Sequence, residues 1–177
     1  MKSQDLYLPY FISIGLTVSF ILSLTGSFFP PQSTEQTIFF RIDALFAITA
    51  YTCLSSKAGS EKFDIPCAGF TVLAIAQGFF ISEIDNADNW NFGSANTGVL
   101  FMIPAVIMIA FYTLFPKWLR IGGIISIVPF LILLGLRTFT GTENTTVLEN
   151  IIFLFHQIIT LCWAWQIWKN RKEIVDS

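Results

Sequence analysis

Residues 8–29 read LPYFISIGLTVSFILSLTGSFF, 22 consecutive positions without one charged side chain. At about 1.5 Å of rise per residue, a helix of this length covers a bilayer core of roughly 30 Å. Only Lys2 precedes it as a base, and it outruns the apolar core of about 7–15 residues typical of a signal peptide. It therefore reads as a first transmembrane helix. Five further apolar stretches follow, at 38–55, 65–82, 97–115, 121–139 and 147–168. Within each, apolar residues run on instead of alternating, which argues against barrel strands. The sequence predicts an all-α, polytopic integral membrane protein, a single domain over 1–177 built as a six-transmembrane-helix bundle.

Composition leads to the same place. Of 177 residues, 54% are hydrophobic and 12% charged, and mean hydropathy is +0.65. A soluble domain carries about 25% charged residues to hydrate its surface. A net charge of −2 offers no basic surplus for nucleic acid. The solvent of this surface is expected to be lipid.

Lys and Arg set the expected orientation. With the N-terminus inside, the inner side holds Lys2, Lys57, Lys62, Lys117, Arg120, Lys169, Arg171 and Lys172, eight of the ten bases. Both termini are thus expected in the cytoplasm, with the chain in the cell membrane. Arg41 and Arg137 remain, near the outer ends of the second and fifth spans. Glu35, Asp43, Glu83, Asp85, Asp88, Glu143 and Glu149 also fall at or near the outer face.

Several helix ends carry signals. Ser33-x-x-Gln36 and Thr146-x-x-Glu149 read as capping boxes for the second and sixth spans. Asp64 is placed to N-cap the third, just before Pro66. Pro116 is expected to close the fourth, and Pro104 and Pro129 to kink the fourth and fifth. Small residues four apart mark contact faces in lipid. Gly15, Ser19, Ser23 and Ser27 form one such ridge; Ala74, Gly78 and Ser82 form a shorter one, which packs the third span in its outer half.

Cys53, Cys67 and Cys162 all map to the inner half, in a compartment that keeps thiols reduced, and read as packing residues. With a single His and no clustered thiols, neither a metal site nor a bound cofactor is expected.

Charges inside a span are costly, at about 2.5–3.5 kcal/mol each on insertion scales, and therefore informative. Asp43 shares a face with Ala47 and Ala50, a strip expected against other helices, where a structural ion pair with Arg41 or Arg137 would satisfy it. Glu149, His156 and Thr160 fall within about 40° of one another on the sixth helix, with His156 near the midplane. Glu83 ends the third span, and Gln77 lies inward of it. Every Asp, Glu, Arg or His inside a span lies in the outer half or at the midplane. That pattern fits an outward-facing polar pocket above a dry inner half better than a charged path across the membrane.

Three functions stay open. In the first, Arg41, Asp43, Gln77, Glu83, Arg137, Glu149 and His156 bind or carry a small polar or zwitterionic ligand or a lipid headgroup. They would converge on one cavity between the second, fifth and sixth helices. In the second, the chain is a membrane-embedded enzyme acting on a lipid-type substrate with His156 as general base. In the third, it is an accessory or scaffolding subunit that binds a membrane-protein partner or a second copy of itself. Lipid is a partner in all three, and nucleic acid in none.

Overall fold

The computed structural model describes residues 4–30, 33–84, 92–140 and 146–175. The chain forms six helices: α1 (Gln4–Gly26), α2 (Thr34–Ser60), α3 (Asp64–Ile84), α4 (Phe92–Ile109), α5 (Lys117–Thr140) and α6 (Thr146–Val175). No strand occurs among the described residues. Five helices are long and apolar enough to cross a membrane, over Tyr7–Gly26, Thr34–Ser60, Asp64–Ser82, Lys117–Leu136 and Ile151–Asn170. The apolar part of α4, Thr97–Ile109, is shorter. Large apolar side chains cover the exterior, among them Phe11, Leu45, Ile132 and Ile151, each more than half exposed. In water such a surface would aggregate; in lipid it is the ordinary exterior of a helical membrane bundle.

Each helix packs on its neighbours in the chain, and α1 also packs on α6, so the six close into a ring. Short connections favour this order, because consecutive helices have little freedom to go elsewhere. One end of the ring, the basic end, joins the start of α1 to the end of α6, with Tyr10 edge-on to Trp168 at 5.3 Å. The α2–α3 and α4–α5 connections meet there too, through Phe63 and Tyr112 at 5.2 Å.

Two glycines mark close approaches between neighbouring helices. A Cβ on Gly15 of α1 would lie 3.0 Å from the Ala50 Cβ of α2. A Cβ on Gly69 of α3 would lie 2.9 Å from the Ala105 carbonyl oxygen of α4. The ridge expected on the first helix thus faces α2 at Gly15, Ser19 and Ser23, whereas Ser27 lies past the helix end and is exposed. The ridge expected on the third helix packs only in part: Ala74 is half-buried against the core, whereas Gly78 has no atom within 4 Å of a Cβ placed on it and Ser82 is exposed. The close face of α3 lies instead at Gly69, Leu73 and Ala76, all buried, in the half toward the basic end. Small residues permit close approach on any face they occupy, and the partner's position chooses which is used.

The helix ends follow local chemistry in part. Ser33 caps α2, its hydroxyl accepting the Gln36 N–H at 3.2 Å. Asp64 is the first helical residue of α3, and Phe63 takes the cap position, its carbonyl accepting from Cys67 N–H at 2.9 Å. The side chains of Thr146 and Glu149 lie outside the described residues. The fourth helix stops at Ile109, well before Pro116, which instead opens α5 by accepting from the Leu119 N–H at 3.0 Å. The segment between them turns so that Tyr112 and Phe115 enter the core, with 0% and 1% of their surface exposed. Burial of two aromatic rings outweighs a further turn of helix. Pro104 and Pro129 sit inside α4 and α5, which run on through them.

A file of rings fills the middle of the bundle. From the basic end it passes from Phe63 to Tyr112, Phe115 and Trp163, with Phe70 edge-on to the last three. It continues through His156, Phe130, Phe153 and Phe80, every step with centroids 5.1–6.3 Å apart. These are the edge-to-face and offset distances that ring quadrupoles favour. The spine links α3, α5 and α6 across the ring's interior and leaves the axis occupied.

A buried carboxylate between the first two helices as candidate functional site

Asp43 sits nine residues into α2, about 14 Å from the helix start by its rise. Ala47 and Ala50 continue its face at one-turn intervals and are 2% and 1% exposed. Their small side chains admit Gly15, and that contact draws the next turns of α1 alongside Asp43. The Ser19 hydroxyl donates to Asp43 Oδ1, and the Ser23 hydroxyl is a second partner. Ser27, one turn further and exposed, donates its hydroxyl to the Ser23 carbonyl at 2.9 Å. A ladder of hydroxyls therefore runs from the far end of the bundle, opposite the basic end, down to the carboxylate. In the other direction the Gly15–Ala50 contact closes the seam.

Among the described residues, the hydrogen-bond partners found for Asp43 are serine hydroxyls, and the side chain of Arg137, one of the two arginines expected to pair with it, lies outside them. Arg41 is exposed, roughly 200° around α2 from Asp43 by helical geometry. The polar surroundings of α2 continue inward at Tyr51, whose hydroxyl meets that of Thr160 on α6. Thr160 in turn donates to the Gln157 carbonyl at 2.8 Å.

His156 has a separate setting. Its Nδ1 lies 3.2 Å from the Ser126 hydroxyl of α5, and Phe130 and Trp163 flank the ring at 6.0 and 6.3 Å. Only 3% of the residue is exposed, and Nε2 has no partner among the described residues. Ring packing places it within the spine, and Asp43 and His156 share no hydrogen-bond partner among those found for each. Gln77 is half-buried on α3. The backbones of Glu83, Arg137 and Glu149 are helical, and their side chains lie outside the described residues, as do Asp85, Asp88 and Glu143 altogether.

Two polar features had no place in the sequence reading. At the basic end, Glu61 accepts from Lys57 Nζ at 2.5 Å with one carboxylate oxygen and from the Tyr112 hydroxyl at 2.5 Å with the other. The Lys57–Glu61 spacing of four is a readable signal, whereas Tyr112 is 51 residues away. Burial first, then the adjacent Glu61 carboxylate, pushes the Tyr112 hydroxyl above its ordinary range. The second feature is a shallow groove of about 280 Å³ on the exterior between α2 and α3, where Ser55 and Thr71 hydroxyls meet at 2.8 Å. The three cysteines are free thiols, each half-buried.

Set against known protein families, curated proteins and solved structures, the chain matches none.

Proposed function

We propose that this protein is a membrane-embedded binding protein whose site opens to the outer side, in the outer half of the bilayer, for a small polar or zwitterionic ligand or a lipid headgroup. The observation that carries this reading is the buried Asp43 carboxylate joined to the far end of the bundle by Ser23 and Ser27. A carboxylate is expensive to hold among hydrocarbon-facing helices, and its presence there points to use. The excess of Lys and Arg at the basic end supports our assignment of that end, with both termini, to the cytoplasmic side. Asp43 takes the cationic group of the ligand. Arg137, Gln77, Glu83 and Glu149 stay candidates for its remaining polar contacts, whereas Arg41, exposed on another face of α2, and His156, enclosed by Ser126, Phe130 and Trp163, lie apart from Asp43. The aromatic spine through Trp163, Phe130 and Phe153 supports binding over passage, because rings occupy the axis that a path would need.

The test is native mass spectrometry of the full chain released from its own membranes, beside the Asp43→Asn variant. The expected result is a bound small molecule or lipid whose occupancy falls at least about tenfold in the variant, as loss of one partner in a buried charge contact demands. Equal occupancy in both proteins overturns the assignment to Asp43.

A second reading, an accessory or scaffolding subunit, is favoured by the open face of α3. Gly78 is small and exposed, and a Cβ placed on it meets no atom within 4 Å. Cross-linking from a cysteine at Ser82 in intact membranes tests it: a single defined adduct, with a partner or a second copy, is the expected result. The enzymatic alternative with His156 as general base has a hydroxyl within its reach in Ser126, at 3.2 Å, but the residue is only 3% exposed, between Phe130 and Trp163.

A further inference from the structure

We propose that Asp43, Ser19 and Ser23 bind a small monovalent cation, Na⁺, that enters from the far end of the bundle along the serine ladder. The proposal rests on the outward-opening site described above and names its ligand. Oxygen is the donor type that hard, non-transition cations select, and the polar groups found together here are oxygens: the Asp43 carboxylate from α2 and the Ser19 and Ser23 hydroxyls from α1. The Tyr51 hydroxyl, two turns on along α2, lies within electrostatic reach of Asp43, and Arg41 stands two residues before that carboxylate on another face of the helix. The charge of the ion follows from the charge of the site. One carboxylate balances one positive charge, and no group of three or more His, Cys, Asp or Glu side chains exists among the described residues to balance a divalent ion. An uncompensated extra charge at this depth would be costly.

The size of the ion follows from the packing. Ser19 and Asp43 are in direct contact, and Gly15 and Ala50 close the seam one turn beyond, so an ion admitted between them has to be small. Hydroxyls suit such an exchange. Each rotates freely and carries two lone pairs, so Ser19 and Ser23 turn their protons away from the carboxylate and present oxygen to the ion. Toward the far end, Ser27 is exposed, bonds to the Ser23 carbonyl, and stands one turn above the second ligand, next to Gly26, which packs on Phe39 and Phe40 of α2.

Carbodiimide labelling of the full-length protein in detergent tests the proposal, because the reagent modifies a buried carboxyl from the lipid side and a bound ion blocks it. The probes are NaCl and choline chloride at equal ionic strength, with the adduct at Asp43 read by peptide mass spectrometry. Once Na⁺ exceeds its dissociation constant tenfold, about one site in ten stays free, so labelling at Asp43 falls about tenfold relative to choline. Ser19→Ala and Ser23→Ala each shift protection to higher Na⁺, and Asp43→Asn, which keeps the shape, abolishes both labelling and any Na⁺-dependent rise in melting temperature. Labelling that falls with rising pH but equally in both salts would mean that the site exchanges only a proton, and overturns the Na⁺ assignment. Absence of labelling, together with an unchanged Na⁺ response in Asp43→Asn, overturns it as well. Na⁺ protection without a co-purifying molecule would leave the cation site standing and remove the larger ligand proposed for the same pocket.

Discussion

Substituting alanine at Gly69 and, separately, at Gly78 isolates the energy of a close helix contact. Both glycines lie within α3, so in each variant alanine brings the same gain in helix propensity, about 1 kcal/mol. They differ in what the new Cβ meets. At Gly78 it meets nothing within 4 Å. At Gly69 it falls 2.9 Å from the Ala105 carbonyl oxygen, 2.9 Å from Met108 Cβ and 3.0 Å from Ile109 Cγ1. Two of these neighbours are a backbone atom and the first atom of a side chain, so rotation cannot clear them. To regain ordinary contact α4 has to retreat by about half an ångström, and a gap of that size forfeits a quarter or more of each dispersion well along the seam. Overpacking of this kind costs about 1–3 kcal/mol. Gly78→Ala is therefore expected to stabilise by up to about 1 kcal/mol, and Gly69→Ala to range from neutral to about 2 kcal/mol destabilised. The difference between the two, about 1–3 kcal/mol, is the contact itself, since the propensity term cancels. Reversible unfolding of the purified protein in mixed detergent micelles, followed by helical circular dichroism, measures it. If Gly69→Ala proves as stable as Gly78→Ala, the assignment of α3's packing face to Gly69 is refuted and the Ala74–Gly78–Ser82 ridge regains its claim.

Two further outcomes concern the basic end and the spine. Tyr112→Phe removes a hydrogen bond to a charged acceptor and is expected to cost about 1.5–3 kcal/mol, read from the same unfolding curves. Because the folded protein holds the Tyr112 hydroxyl above its ordinary pKa of 10.0, its contribution is whole below that value and lost as pH rises beyond it. The wild type therefore loses stability in alkali faster than Tyr112→Phe, and parallel pH profiles would contradict the placement of that hydroxyl against Glu61. Trp163→Ala opens a void between Phe70, Phe115 and His156 and is expected to destabilise by about 3–5 kcal/mol. A change under about 1 kcal/mol would show that the spine does not hold the bundle together.

The membrane character of the chain, its helical class and the approximate place of every helix were legible in one dimension. A run such as residues 8–29 has only one structure that satisfies its backbone in hydrocarbon, and that structure is a helix. The cap at Ser33 and the inward face of Asp43, Ala47 and Ala50 were legible for a related reason: both depend on residues within a few positions of each other. The fourth helix shows where that reasoning stops. Its end at Ile109 is decided by Tyr112 and Phe115 entering a cluster with Phe63, Phe70 and Trp163, residues contributed by distant parts of the chain. The two small-residue ridges looked alike as spacing. Only the ring order, with α2 against α1 and α4 against the other side of α3, made one a seam and left the other open at Gly78.

The candidate site divides along the same line. That Asp43 is a carboxylate deep in an apolar helix could be read directly, because its depth follows from counting residues at about 1.5 Å each. That its partners are Ser19 and Ser23, and that His156 is enclosed by Ser126, Phe130 and Trp163, could not. Helical periodicity states which side chains share a face, but it carries no information about which helix that face will meet. In lipid every outer surface is equally apolar, so hydrophobicity does not choose the neighbour; close packing and hydrogen bonding between helices do, and they exist only once the bundle is assembled.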